Sequence, residues 1–135
     1  MGQHDRYGKR LMRAVCGGMF TDYGPRIEVQ LGAGAPGRID GAVGDQIAVE
    51  IDSRVSKQIR GALIDLVLHP YAKKLLILVP VHMTDPVVTR DQCRYVLARL
   101  LEPGAFEIVV LSGTGDRPEE SIDSGLIRVG LGRLG

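Results

Sequence analysis

Arg38-Ile39-Asp40-Gly41 and Val49-Glu50-Ile51-Asp52 place three carboxylates inside two short apolar stretches, although acids are depleted from strand interiors. In the first stretch Ile39, Gly41 and Val43 alternate with Arg38, Asp40 and Ala42; in the second Ile47, Val49 and Ile51 alternate with Ala48, Glu50 and Asp52. Such period-two alternation gives a strand one packed apolar face and one face of other character. A three-residue connection, Gly44-Asp45-Gln46, makes the stretches two arms of a hairpin. It sets Asp40 opposite Glu50, Ala42 opposite Ala48 and Arg38 opposite Asp52. A two-residue Gly44-Asp45 turn would instead move Asp40 to the other face relative to Glu50. Carboxylates directly across a sheet repel and cost stability. Two acids converging beside small alanines are what a divalent cation site needs. The plainer alternative is a pair of exposed acids on a solvated sheet face.

The elements that must position this hairpin follow from periodicity. Leu11, Met12, Val15 and Met19 predict an amphipathic helix over Tyr7 to Met19, weakened at its end by Gly17-Gly18. Ile27, Val29 and Leu31 alternate with polar residues as a short strand, and a Gly/Pro-rich loop from Gly32 to Gly37 leads into the hairpin. A helix begins at Ser53, with Val55, Ile59, Ala62, Leu63 and Leu66 on its apolar side, and stops near His69-Pro70. Lys74 to Val79 reads as a strand buried on both faces. Thr89 and Gln92 match a capping box for a helix carrying Cys93, Val96, Leu97 and Leu100, and Glu102-Pro103-Gly104 ends it. Phe106 to Leu111 is another buried strand; Ile122 to Leu131 forms one further short helix or strand. The order is α-β-β-β-α-β-α-β, and its last strand–helix–strand unit should be a right-handed parallel crossover.

A chain of 135 residues suits a single domain spanning 1–135 with its own core. With no Trp and only four Tyr and two Phe, that core is aliphatic. No apolar run is long enough to cross a bilayer, and the charged stretch His4 to Arg13 lacks the apolar core of an export signal. Cys16 and Cys93, far apart in apolar contexts, read as reduced buried thiols, so a cytoplasmic location is expected. The net charge of +1 gives no general preference for nucleic acid. Basic residues are nonetheless grouped: Arg6, Lys9, Arg10 and Arg13 at helical spacing, and Arg54, Lys57 and Arg60 after the acidic hairpin.

Element order and acids together resemble the PD-(D/E)XK nuclease superfamily, which includes restriction endonucleases and Holliday-junction resolvases. Arg38-Ile39-Asp40-Gly41 matches its Asp element and Val49-Glu50-Ile51-Asp52 its second element, with a helix directly following. The resemblance covers roughly Tyr7 to Leu111 and rests on a motif three residues deep. It implies an α/β fold with a restriction-endonuclease-like core, a central mixed sheet flanked by helices, and endonuclease-like metal-dependent hydrolysis of DNA. Two positions depart from the pattern: Ile39 replaces Pro, and Asp52 stands where the family's lysine usually sits. Lys57 on the following helix is the candidate substitute.

On this reading Mg²⁺ or Mn²⁺ is held by Asp40 and Glu50 with the Ile51 carbonyl, lowering the pKa of a water and acting as Lewis acid on a phosphate oxygen. Asp52 could hold a second metal, serve as general base, or simply partner Arg38 or act as a helix-entry acid. Arg54, Lys57, Gln58 and Arg60 would face the phosphates, with Arg6, Lys9, Arg10 and Arg13 as a second contact stripe or a solvated helix face. Glu28 on the preceding strand is a further candidate for the cluster. DNA is the expected partner, a homodimer is plausible and a membrane is not. The rival is a catalytically silent module of the same fold that binds nucleic acid or a protein.

Other signals are weaker. Gly32-x-Gly34-x-x-Gly37 matches a dinucleotide fingerprint, but a strand pattern follows it where the mechanism needs a helix. His69 and His82 lack zinc spacing, Gly113-Thr114-Gly115-Asp116 is a common loop composition, and no nucleophile elbow is present.

Overall fold

The computed structural model describes residues 2–55 and 57–135. The elements are α1 (Gln3–Cys16), β1 (Phe20–Thr21), β2 (Glu28–Val29), β3 (Gly37–Arg38), β4 (Gly41–Val43), β5 (Ile47–Asp52), α2 (Lys57–Leu68), β6 (Lys73–Leu78), α3 (Pro86–Leu100), β7 (Phe106–Val110) and α4 (Glu120–Leu134). The α/β class is as the sequence implies: a five-stranded mixed sheet in the order β1-β4-β5-β6-β7, flanked by four helices. β1, β4 and β5 run antiparallel, while β5, β6 and β7 run parallel.

Both faces of this sheet are covered, because successive residues of β5 and β6 point to opposite sides and Leu75 to Leu78 make both sides of β6 apolar, while β5 turns Val49 and Ile51 to one side and Ala48, Glu50 and Asp52 to the other. On one side Ala42, Ala48, Leu76 and Leu78 pack with Leu63 and Leu66 of α2 and Cys93 and Leu97 of α3. On the other, Val49, Ile51, Leu75 and Ile77 pack with Tyr7, Leu11 and Met12 of α1 and Ile127 of α4. α1 lies close on β5 because Gly8 lacks a side chain: a Cβ there would stand 2.7 Å from Ile51 Cγ2. The alternative of Asp40 and Glu50 as exposed acids on a solvated sheet face fails, since Glu50 is buried on the side that α2 covers and Asp40 is half-buried.

Several boundaries differ from expectation. The hairpin has the predicted three-residue connection, with Ala42 opposite Ala48. Its first arm, however, is split. Gly37–Arg38 pairs with Glu28–Val29 in a separate two-stranded sheet, so Arg38 faces Glu28 and not Asp52. The first strand of the meander is Phe20–Thr21, which the two-residue length of β1 hides from any periodicity count. α1 starts four residues early and ends at Gly17, whose φ of 57° breaks the helix. α2 begins at Lys57, later than Ser53. α3 is capped by Asp85, whose carboxylate accepts the N–H groups of Val87 and Val88, with Pro86 in the first turn; Thr89 lies inside the helix. The ambiguous C-terminal pattern is a helix, α4.

Candidate metal and phosphate site

Asp40 sits where the chain leaves one sheet for the other. The Ile39 N–H bonds the Ile27 carbonyl at 2.9 Å, while Gly41 already pairs with Val49. Between them the backbone ladder opens, and side chains close the gap. The Asp40 N–H donates to Glu50 Oε1 at 2.8 Å, and the Ile51 N–H donates to Asp40 Oδ2 at 2.7 Å. Asp40 and Glu50 thus meet on one face, as the three-residue turn requires.

The two acids line a cleft of ≈ 510 Å³ together with Asp5 of α1, Arg38, Ile51, Asp52, Arg54 and a stripe of α2, namely Gln58, Gly61, Ala62 and Asp65. Those four helical positions recur at three- and four-residue spacing and so share one face, and the small Gly61 and Ala62 leave the cleft its room. Burial, then the facing charge of Asp40, push the Glu50 carboxyl far above the ordinary carboxylate range. Burial likewise raises Asp40. Asp5 is raised by burial and then by Asp52; Asp65 is raised by burial.

Asp52 is only 2 % exposed and, among the described residues, is hydrogen-bonded by Arg54. Its Oδ1 accepts the Arg54 main-chain N–H at 2.7 Å and Nε–H at 3.1 Å, and its Oδ2 accepts Nη2–H at 2.7 Å. Lys57 is exposed and does not line the cleft. It lies about a quarter-turn round α2 from the Gln58–Asp65 stripe, at 100° per residue. Arg60 is farther round and borders an apolar groove between α2 and α3 with Ile59, Val88 and Tyr95. The basic residues of α1 are largely engaged within the chain. Lys9 is buried beside Asp22 at 3.6 Å, Arg13 bonds Asp22 at 2.5 Å, and Arg10 bonds Glu120 of α4 at 2.5 Å. Arg6 is exposed. Glu28 is outside the cleft lining.

Asp5 and Asp65 are cleft residues that sequence reading missed. The i, i+7 relation of Gln58 and Asp65 was the available signal for the latter; nothing local marks Asp5. The glycine loop ahead of Gly37 leads into a strand. His69 is buried, with Nε2 at 2.6 Å from the Arg26 carbonyl and Nδ1 accepting the Tyr71 N–H. The loop at Gly113 is filled by Asp123, which accepts its N–H at 2.9 Å.

The donor set fits a hard cation only in part. Among the described residues no three His, Cys, Asp or Glu side chains gather closely enough to hold a metal ion. The Asp40–Glu50 pair suits Mg²⁺, which keeps several waters and takes one or two carboxylates beside substrate phosphates. Among the described residues no helix is long and apolar enough to cross a membrane. Comparison of the chain with protein-family models, curated proteins and solved structures finds no match.

Proposed function

We propose that this chain hydrolyses DNA phosphodiester bonds with Mg²⁺ or Mn²⁺ held by Asp40 and Glu50, as a PD-(D/E)XK-like endonuclease of the cytoplasm, working as a dimer. The observation that carries the reading is the Asp40–Glu50 pair: two carboxyl groups on adjacent arms, facing one cleft, both raised by burial, and Glu50 also by the charge of Asp40. A divalent cation offsets both costs at once. When bound, it supplies an acidified water and Lewis-acid polarisation of a phosphate oxygen. Asp40 and Glu50 orient it, because each carboxylate is fixed by a main-chain amide. Hydrolysis forms a new oxygen–phosphorus bond from water as the bond to the leaving sugar oxygen breaks, one water proton passing to solvent and one to the leaving oxygen. Ala62 and Gly61 leave space for the sugar-phosphate strand, and Arg38 and Arg54 meet its charge.

Plasmid cleavage in Mg²⁺ or Mn²⁺ tests this. Activity lost in both Asp40→Asn and Glu50→Gln supports it, and identical behaviour of wild type and variants removes it. The silent-module reading draws support from Asp52 in the lysine place and from Lys57 standing off the cleft. Duplex binding without cleavage would select that second reading.

A further inference from the structure

We infer that Asp52 acts through Arg54: its sealed carboxylate holds the Arg54 guanidinium in the Asp40–Glu50 cleft, where the guanidinium contacts a phosphate in place of the lysine this chain lacks. The inference rests on the nuclease reading. Asp52 lies two residues beyond Glu50 on β5 and so faces the same side of the sheet. A buried carboxylate is costly unless paired, and among the described residues three hydrogen bonds reach it from Arg54.

The pair is asymmetric. The Asp52 side chain is 1 % exposed and the Arg54 side chain 53 %, so the acid is enclosed while the cation presents itself to the cleft it lines. Of a guanidinium's five N–H bonds, one on Nε and one on Nη2 are committed to Asp52. The remaining three can meet an anion in a plane that the two-point clamp has fixed. Arginine stays protonated, so Arg54 cannot relay a proton; it neutralises charge that grows on the phosphate. Such a charge is needed, since carboxylates outnumber guanidiniums in the lining. Arg54 is then a catalytic residue and Asp52 a positioning residue.

A double-mutant cycle read by single-turnover plasmid cleavage and by Mn²⁺ affinity tests this. Arg54→Gln should slow cleavage about 100-fold, as loss of one preorganised donor does, and Asp52→Asn about 10-fold, as loss of a supporting partner does. The double variant, Asp52→Asn with Arg54→Gln, should be no slower than Arg54→Gln alone, and Mn²⁺ affinity should hold in all three. It also leaves no buried charge unpaired, so the cycle survives if Arg54→Gln alone folds poorly. Added guanidinium should restore part of the rate of Arg54→Ala. Wild-type speed in Arg54→Gln, or multiplying losses and weakened Mn²⁺ binding from Asp52→Asn, would overturn the inference and leave the nuclease reading intact. A wild type that neither binds Mn²⁺ nor cuts overturns both.

Discussion

Asp40 and Glu50 brace each other's strands: the Asp40 N–H donates to Glu50 Oε1 at 2.8 Å, and Asp40 Oδ2 accepts from Ile51, the residue after Glu50, at 2.7 Å. Each acid supplies the acceptor that the opened ladder fails to provide. The oxygens are therefore fixed by backbone and not by flexible side chains, which is the preorganisation a cation site requires.

This arrangement predicts an inverted pH response. Burial and the Asp40 charge raise folded Glu50 above the 4.5 of an ordinary glutamate. Above that pH the folded chain keeps a proton the unfolded chain has lost, so stability falls as pH rises, until folded Glu50 itself ionises. In EDTA, thermal melts of the wild type should decline between about pH 5 and pH 8. Glu50→Gln, which keeps an oxygen for the Asp40 N–H, should flatten the decline. By pH 8 its Tm should exceed the wild type's by about 4 °C, the equivalent of about 1 kcal/mol. Parallel profiles for the two proteins would exclude the raised carboxyl.

Divalent cations should reverse that order. Binding needs the ionised pair, so stabilisation of the wild type by Mn²⁺ should grow with pH. It should reach about 2.7 kcal/mol at one hundred times Kd. Asp40→Asn and Glu50→Gln should show little of it. Calorimetric melts with and without Mn²⁺ decide the point, and equal stabilisation of all three proteins would place the ion elsewhere.

The legible parts of the chain were those where local pattern and packing agree. The apolar run Lys74 to Val79 predicted a strand buried on both faces, and Leu75 to Val79 are all fully buried. The spacing of Asp40 and Glu50 suited one tight hairpin, and of the two turn lengths it left open the register has the three-residue connection. Arg38 misled because alternation continues through Asp40 while the pairing partner changes, from Glu28 to the β5 arm. That switch depends on contacts distant in sequence. Asp5 entered the cleft for the same reason: the packing of α1 on β5 carries it there, and its neighbours in sequence carry no trace of it.

The start of α3 separates a local motif from the cap in use. Asp85 accepts the Val87 and Val88 N–H groups at 3.1 and 3.3 Å. Asp85→Ala should cost about 1 kcal/mol in urea denaturation. Gln92→Ala, which would break a box begun at Thr89, should stay within about 0.5 kcal/mol, as exposed substitutions do. The reverse ranking would restore the Thr89 cap.

Gly8 lets α1 lie close against the strand that carries Glu50. Gly8→Ala puts a methyl 2.7 Å from Ile51 Cγ2 and should cost about 1–3 kcal/mol by overpacking. Ile51→Ala removes the obstructing atoms and should cost about 2–5 kcal/mol alone. The double variant should recover at least about 0.5 kcal/mol of the summed penalty. Strict additivity would mean that the helix shifts freely.

The second strut of the molecule joins Tyr7 of α1 to Asp123 of α4. The Tyr7 hydroxyl donates to Asp123 Oδ2 at 2.5 Å and accepts the Glu119 N–H at 2.9 Å, while Asp123 also accepts the Ser112 and Gly113 N–H groups. Asp123 is fully buried, so Tyr7→Phe removes one of the two donors to Asp123 Oδ2, leaving it the Gly113 N–H, and strands the Glu119 amide, at about 1–3 kcal/mol. Burial, then the bond to Asp123, push the Tyr7 phenol from 10.0 up to about 12. The folded chain therefore holds that proton after the unfolded chain has lost it, and this contribution to stability falls as pH rises through 10. Urea melts at about pH 8 and pH 11 should show a smaller alkaline loss in Tyr7→Phe than in the wild type. An equal loss would mean that the phenol ionises in the fold as readily as in water.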